Sequence, residues 1–128
     1  MERTRLTLTV NGVQREAQVD ARSTLLDVLR DDFGLKAAKD GCSPQGQCGC
    51  CTVIVDGSAK VSCAMPATKA QGRDVVTLEG VSEEERELFA RCFVACAGLQ
   101  CGFCIPGIVV RAKHLLDKKP RPDRKSVV

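Results

Sequence analysis

The sequence predicts an α+β fold built in two parts, and three observations predict it. Residues 4–78 are short β-branched or alternating apolar runs separated by Asn-Gly and Asp-Gly turn signals. Residues 83–116 instead carry apolar side chains at helical spacing. Cysteines cluster on a Gly-rich loop inside the first part, and a second cysteine pair lies between the two helical runs of the second.

The elements of the first part follow in order. Leu6, Leu8 and Val10 alternate, Asn11-Gly12 is a type I′ hairpin signal, and the return strand runs through Ala17 and Val19. Ser23 or Thr24 can cap a short helix from Leu25 to about Asp32, whose apolar face is Leu25, Leu26, Val28 and Leu29. Gly34 ends that helix. The cysteine loop comes next, then a buried strand Thr52–Val55 closed by an Asp56-Gly57 turn. Val61-Ser62-Cys63 returns beside the loop, and a last strand over Val75–Leu78 completes a β-grasp-like unit.

The texture changes at Glu79-Gly80, which divides the chain into residues 1–79 and 80–128. Ser82 with Glu85 is a capping box opening a helix from about Glu83 to Ala97, with Gly98 as its C-cap. Leu88, Phe89, Cys92, Phe93 and Cys96 share its apolar face, where free cysteines pack as small hydrophobes. Pro106 suits the first turn of a second helix running to Leu116, with Ile105, Ile108, Val109, Ala112, Leu115 and Leu116 apolar. Two such helices form an incomplete layer that needs more chain or another subunit to cover it.

Composition narrows the function classes. The chain has 128 residues, is 44% hydrophobic, and contains four Phe but no Trp or Tyr. So few rings argue against a nucleic-acid platform, which stacks bases on aromatic side chains. The formal charge is +3. It is uneven: residues 111–125 hold seven basic and two acidic side chains, in the pattern of a solvated connector. No apolar run approaches the roughly 20 residues of a membrane helix. Met1–Arg5 lead into a strand without the apolar core of a signal peptide, and with many free thiols the expected compartment is the cytoplasm.

The chemistry lies in the thiols. Cys42, Cys48, Cys51 and Cys63 stand at C-x5-C-x2-C-x11-C, three of them on a loop that also holds Gly41, Gly46 and Gly49. A [2Fe–2S] cluster takes two thiolates on each iron, so the chain must surround it from several directions, and glycines let backbone N–H groups approach its sulfides. The spacing differs from the plant ferredoxin pattern in having a longer loop and a nearer fourth Cys. Zinc and a disulfide framework are the competing readings. Zinc more often uses paired C-x2-C knuckles, and nine cysteines is an odd number for pairing. Cys50, beside Cys51, is expected to be a bystander, and His114 a surface residue.

Cys101 and Cys104 form a C-x2-C in Gln100-Cys101-Gly102-Phe103-Cys104, two ligands where a cluster needs four. Cys92 and Cys96 are the other thiols nearby. No pair of residues suits acid–base or nucleophilic substrate chemistry, so the expected activity is electron transfer. A free-standing single-cluster ferredoxin-like carrier and a non-catalytic, metal-stabilised interaction module are the alternatives.

The run GCSPQGQCGCCTVIVDG, with SCAMPA and QCGFCIPG after it, resembles the iron–sulfur subunit of the molybdenum hydroxylases, the xanthine dehydrogenase and aldehyde oxidoreductase family. The resemblance covers nearly all of residues 4–127. It implies a β-grasp domain with one [2Fe–2S] cluster on Cys42, Cys48, Cys51 and Cys63, and a four-helix domain whose second cluster begins with Cys101 and Cys104. It also implies two partners: a large subunit with molybdopterin, near Gln100, and a subunit with FAD. The family completes the second cluster with a later C-x-C. Residues 122–128 resemble the start of the helix leading to it, so the sequence is expected to be cut short there. Cys50 stands where the family has a small residue such as Ala.

Overall fold

The structure, a computed structural model, describes residues 3–127. Strands β1 (Thr4–Val10) and β2 (Val13–Val19) form an antiparallel hairpin in register from Thr4↔Val19 to Val10↔Val13. Its two-residue turn places Asn11 at φ 52° and Gly12 at φ 81°, the pair of positive angles a type I′ turn requires. A second hairpin joins β3 (Thr52–Val55) to β4 (Ser58–Val61) through Asp56 and Gly57 in the same manner. β5 (Asp74–Val76) runs parallel to β1 and antiparallel to β3, giving the sheet order β2-β1-β5-β3-β4.

One face of this sheet carries the core. Leu6, Leu8 and Val10 are each 1% exposed and pack with Val53, Val55 and Val75 against Leu25, Leu26, Val28 and Leu29. Burying an aliphatic side chain of this size contributes about 2 kcal/mol, so this cluster is the main stabilising feature of the first part. The helix that supplies the last four begins as α1 (Leu25–Asp27), with Thr24 as its N-cap. Thr24 Oγ1 accepts from Asp27 N–H, and Asp27 returns the bond to Thr24 N–H. It then widens into a π turn over Val28–Asp32, where Phe33 N–H reaches Val28 O. Gly34 leaves this turn at φ 68°.

The other face meets the helical half. α3 (Ile105–Lys118) buries Gly107, Val109 and Val110 against the β3–β4 side. His114 Nε2 lies 3.2 Å from Gly57 O, so this half-buried histidine at the surface also ties α3 to the β3–β4 turn. Lys113 adds ion pairs to Glu85 and Asp117. At the junction, Asn11 bonds Thr77 through both its amide nitrogen and oxygen, tying the first hairpin to the segment that leaves β5.

Four local expectations change. β4 pairs through its backbone with a polar sequence that lacks an apolar signature. β5 stops at Val76, and Leu78 enters a 3-10 turn. Ser82 caps α2 (Glu83–Ala95) by accepting from Glu85 N–H, but the Glu85 carboxylate turns to Lys113, so the reciprocal half of the box does not form. α2 also ends earlier than Ala97. Ala97, not Gly98, takes the left-handed position at φ 53°, with bonds from Ala97 N–H to Val94 O and from Gly98 N–H to Phe93 O. Gly98 has its own reason to be glycine: a Cβ there would sit 3.1 Å from the Phe93 ring.

α2 buries none of its residues. Leu88 is 53% and Val94 68% exposed, and Cys92 and Cys96 are exposed too, so these thiols do not pack as core hydrophobes. Among the described residues, no helix is long and apolar enough to cross a membrane.

Candidate iron–sulfur site

The cysteine loop is shaped by its own backbone. Asp40 accepts from the N–H groups of Cys42 and Ser43, and Lys39 N–H bonds Cys50 O to close the loop's base. Ser43, Gly46 and Gly49 lie at φ 79°, 69° and 74°, which turns successive N–H groups toward one side. Those donors find sulfur. Cys42 Sγ accepts from Gln45 N–H at 3.1 Å, and the N–H groups of Gln47 and Cys48 also point at it. They lower its pKa to about 7, with Gln47 and Cys48 the largest contributors.

Cys42, Cys48, Cys51 and Cys63 form two pairs. Cys42 and Cys48, half-buried and exposed respectively, hydrogen-bond to each other on the outer side. Cys51 and Cys63 are both buried and hydrogen-bond on the inner side, where Cys63 N–H also lies 3.4 Å from Cys51 Sγ. Burial, then the Cys51 thiol, pushes Cys63 up to about 11, opposed by Gly46 N–H. Ser62 holds the inner pair in place by donating to Cys51 O at 2.6 Å.

Among the described residues, no three His, Cys, Asp or Glu side chains form a group able to hold a single metal ion. Two pairs of thiols are what a binuclear core needs instead, since each iron takes two thiolates and bridging sulfides fill the space between. The pairing, the N–H groups aimed at sulfur, and the tight space at Gly41 all fit such a group. A Cβ on Gly41 would lie 3.0 Å from both Cys48 Sγ and Cys50 Sγ.

Cys50 is closer to the centre than expected of a bystander. It is buried, its thiol hydrogen-bonds that of Cys48, and it feels the charge of Cys104. Burial, followed by the Cys48 contact, pushes it up to about 11. Gln100, Cys101 and Cys104 are exposed around Gly102 at φ 83°. The structure brings Cys104 near Cys50. Phe103 reaches back over the loop: its ring edge would be 3.3 Å from a Gly41 Cβ, with Lys39 Nζ 5.6 Å from its centroid.

Gly107 is the residue that sequence reasoning missed, and Gly41 was read for its backbone freedom alone, not for the sulfur atoms that a Cβ there would meet. The signal was present at Gly107, because a glycine inside a helix costs about 1 kcal/mol against alanine and usually marks a close approach.

Both halves of the chain match families that bind iron–sulfur clusters. The family described as "2Fe-2S iron-sulfur cluster binding domain" matches residues 8–78, and the "[2Fe-2S] binding domain" family matches residues 77–128. The nicotinate dehydrogenase small FeS subunit of Eubacterium barkeri is 43% identical over 95% of this chain and 78% of its own length. The aldehyde oxidoreductase of Megalodesulfovibrio gigas is also 43% identical, but the chain spans only 13% of it. Quinoline 2-oxidoreductase from Pseudomonas putida 86 superposes with a TM-score of 0.88 at 36% identity, over 99% of this chain and 78% of that one.

Proposed function

This chain belongs to the iron–sulfur small subunits of the molybdenum hydroxylase family, and from that premise we propose that it relays electrons from a molybdopterin centre on a large subunit to FAD on another. Cys42, Cys48, Cys51 and Cys63 are its first ligand set, supported by the two thiol pairs on a loop of inward-facing N–H groups. The paired arrangement carries this reading. A bound [2Fe–2S] cluster supplies one-electron redox chemistry at these thiolates.

The chain's own residues tune that chemistry. Cys42 collects N–H bonds from Gln45, Gln47 and Cys48, so added negative charge is best stabilised on the outer pair. Cys48 on the same pair is exposed, giving an electron partner access from that side. Gly46 and Gly49 hold the turns that aim these donors. Cys51 and Cys63 anchor the inner side away from water.

Cys101 and Cys104 supply two thiolates of a second cluster nearer the pterin, with Gln100 facing the large subunit. Residues 1–79 and 80–128 serve as the β-grasp and helical cluster domains, and the complex works in the cytoplasm. A free-standing carrier is disfavoured by Leu88, Val94, Leu99 and Ile108, which stand at least 43% exposed and call for a covering partner. The ligand set is tested by comparing Cys51→Ser with Cys50→Ala. Cys51→Ser should lose most of the iron and the visible charge-transfer bands, while Cys50→Ala keeps both. Equal losses in the two variants would mean that the ligand set is wrong.

A further inference from the structure

α3 rests on the cysteine loop at a point where no side chain fits. A Cβ on Gly107 would lie 2.4 Å from Gly49 O, 3.0 Å from Cys50 Cα and 3.2 Å from the Cys50 carbonyl carbon. All three are backbone atoms, so no change of rotamer relieves the clash. Returning the closest of these contacts from 2.4 Å to an ordinary 3.4 Å means moving the helix away by about 1 Å. Gly107 lies in the first turn of α3, which starts directly after Cys104, so the helix and the Cys101–Cys104 motif move together. Phe103 makes a second contact to the same loop at Gly41.

We propose that Gly107 is a positioning residue for electron transfer. Its missing side chain lets the first turn of α3, and the Cys101–Cys104 motif with it, sit directly on the backbone of Gly49 and Cys50. That contact fixes the separation between the second thiol motif and the loop holding the first ligand set. Electron tunnelling falls exponentially with separation, so a displaced helix slows transfer between the two motifs. The contact also puts the positive end of a 14-residue helix beside the loop, where it favours the more negative, reduced state. This inference rests on Cys42, Cys48, Cys51 and Cys63 being cluster ligands.

Gly107→Ala and Gly107→Val in the full chain test it, with Leu116→Ala on the exposed side of α3 as control. Both glycine variants should keep the wild-type iron and sulfide content. Their first-cluster midpoint potential should fall and their EPR g-anisotropy change, more in Val than in Ala, while the control matches wild type. Wild-type potential and EPR in both glycine variants at full iron would overturn the proposal. Should the variants fail to load iron, NMR of the ¹⁵N-labelled wild-type chain decides. On reduction, the Gly107 and Ile108 amides should broaden like those of Cys48–Cys50, while Leu115–Lys118 stay sharp. A sharp Gly107 signal overturns the contact. A wild-type chain that binds no iron instead removes the ligand reading on which this rests.

Discussion

Cys42 and Cys63 belong to one proposed ligand set, yet their surroundings push them in opposite directions. Backbone N–H groups lower Cys42 from 9.0 to about 7, whereas burial raises Cys63 to about 11, as it does Cys50. In the cluster-free chain, the Cys42 contribution to stability is therefore complete above pH 9 and lost as pH falls through about 7. The Cys63 and Cys50 contributions run the other way, complete below pH 9 and lost as pH rises through about 11. Thiolate, not thiol, is the nucleophile, so brief iodoacetamide treatment of the cluster-free chain at pH 7 should label Cys42 before Cys50 and Cys63. Peptide mapping by mass spectrometry reads the order. Labelling of Cys63 ahead of Cys42 would show that the loop donors do not reach Cys42 sulfur without the cluster.

The C-terminal end of α2 holds a strained residue at an exposed site. Ala97 sits at φ 53° to complete the two bonds that close the helix, a conformation that costs a residue with a Cβ roughly 1 kcal/mol or more. Ala97→Gly should relieve about 1 kcal/mol and slow amide exchange at Ala97 and Gly98 about fivefold. Unchanged or faster exchange would mean that the closing bonds do not persist in solution. The sequence pointed to the glycine one position on because Gly is the usual left-handed residue, but Gly98 is needed to clear Phe93. The hairpins were legible because Asn11-Gly12 and Asp56-Gly57 admit few other conformations. β4 was not, since Ser58-Ala59-Lys60-Val61 pairs through backbone alone. The ligand spacing was readable as chemistry, but the pairing of Cys42 with Cys48 and of Cys51 with Cys63 depends on the folded loop. Cys92 and Cys96 misled, because a helical stripe predicts burial only where something exists to bury it.

At the scale of the molecule the two halves are stabilised unequally. The first half owns the core cluster and all four proposed first-cluster ligands, Cys42 to Cys63. The second half owes its placement to one helix, through Gly107, Val109, Val110 and the His114 contact to Gly57. Removing that helix uncovers Ile54 and Val76 on the outer face of the sheet. The loss of Val109 and Val110 burial alone costs about 3 kcal/mol. The core face of Leu6, Leu8, Val10, Val53 and Val75 stays closed by Leu25–Leu29 without it. A chain of residues 1–80 should therefore fold and, after reconstitution, bind about two irons. It should melt below the full chain, since it gives up the outer-face cover, and its visible spectrum should remain that of one [2Fe–2S] centre. Iron and sulfide analysis of the fragment beside the full chain makes the comparison. A fragment that stays free of iron while the full chain loads about two would show that the α3 contact at Gly49 and Cys50 is required to form the first site, and not only to position it.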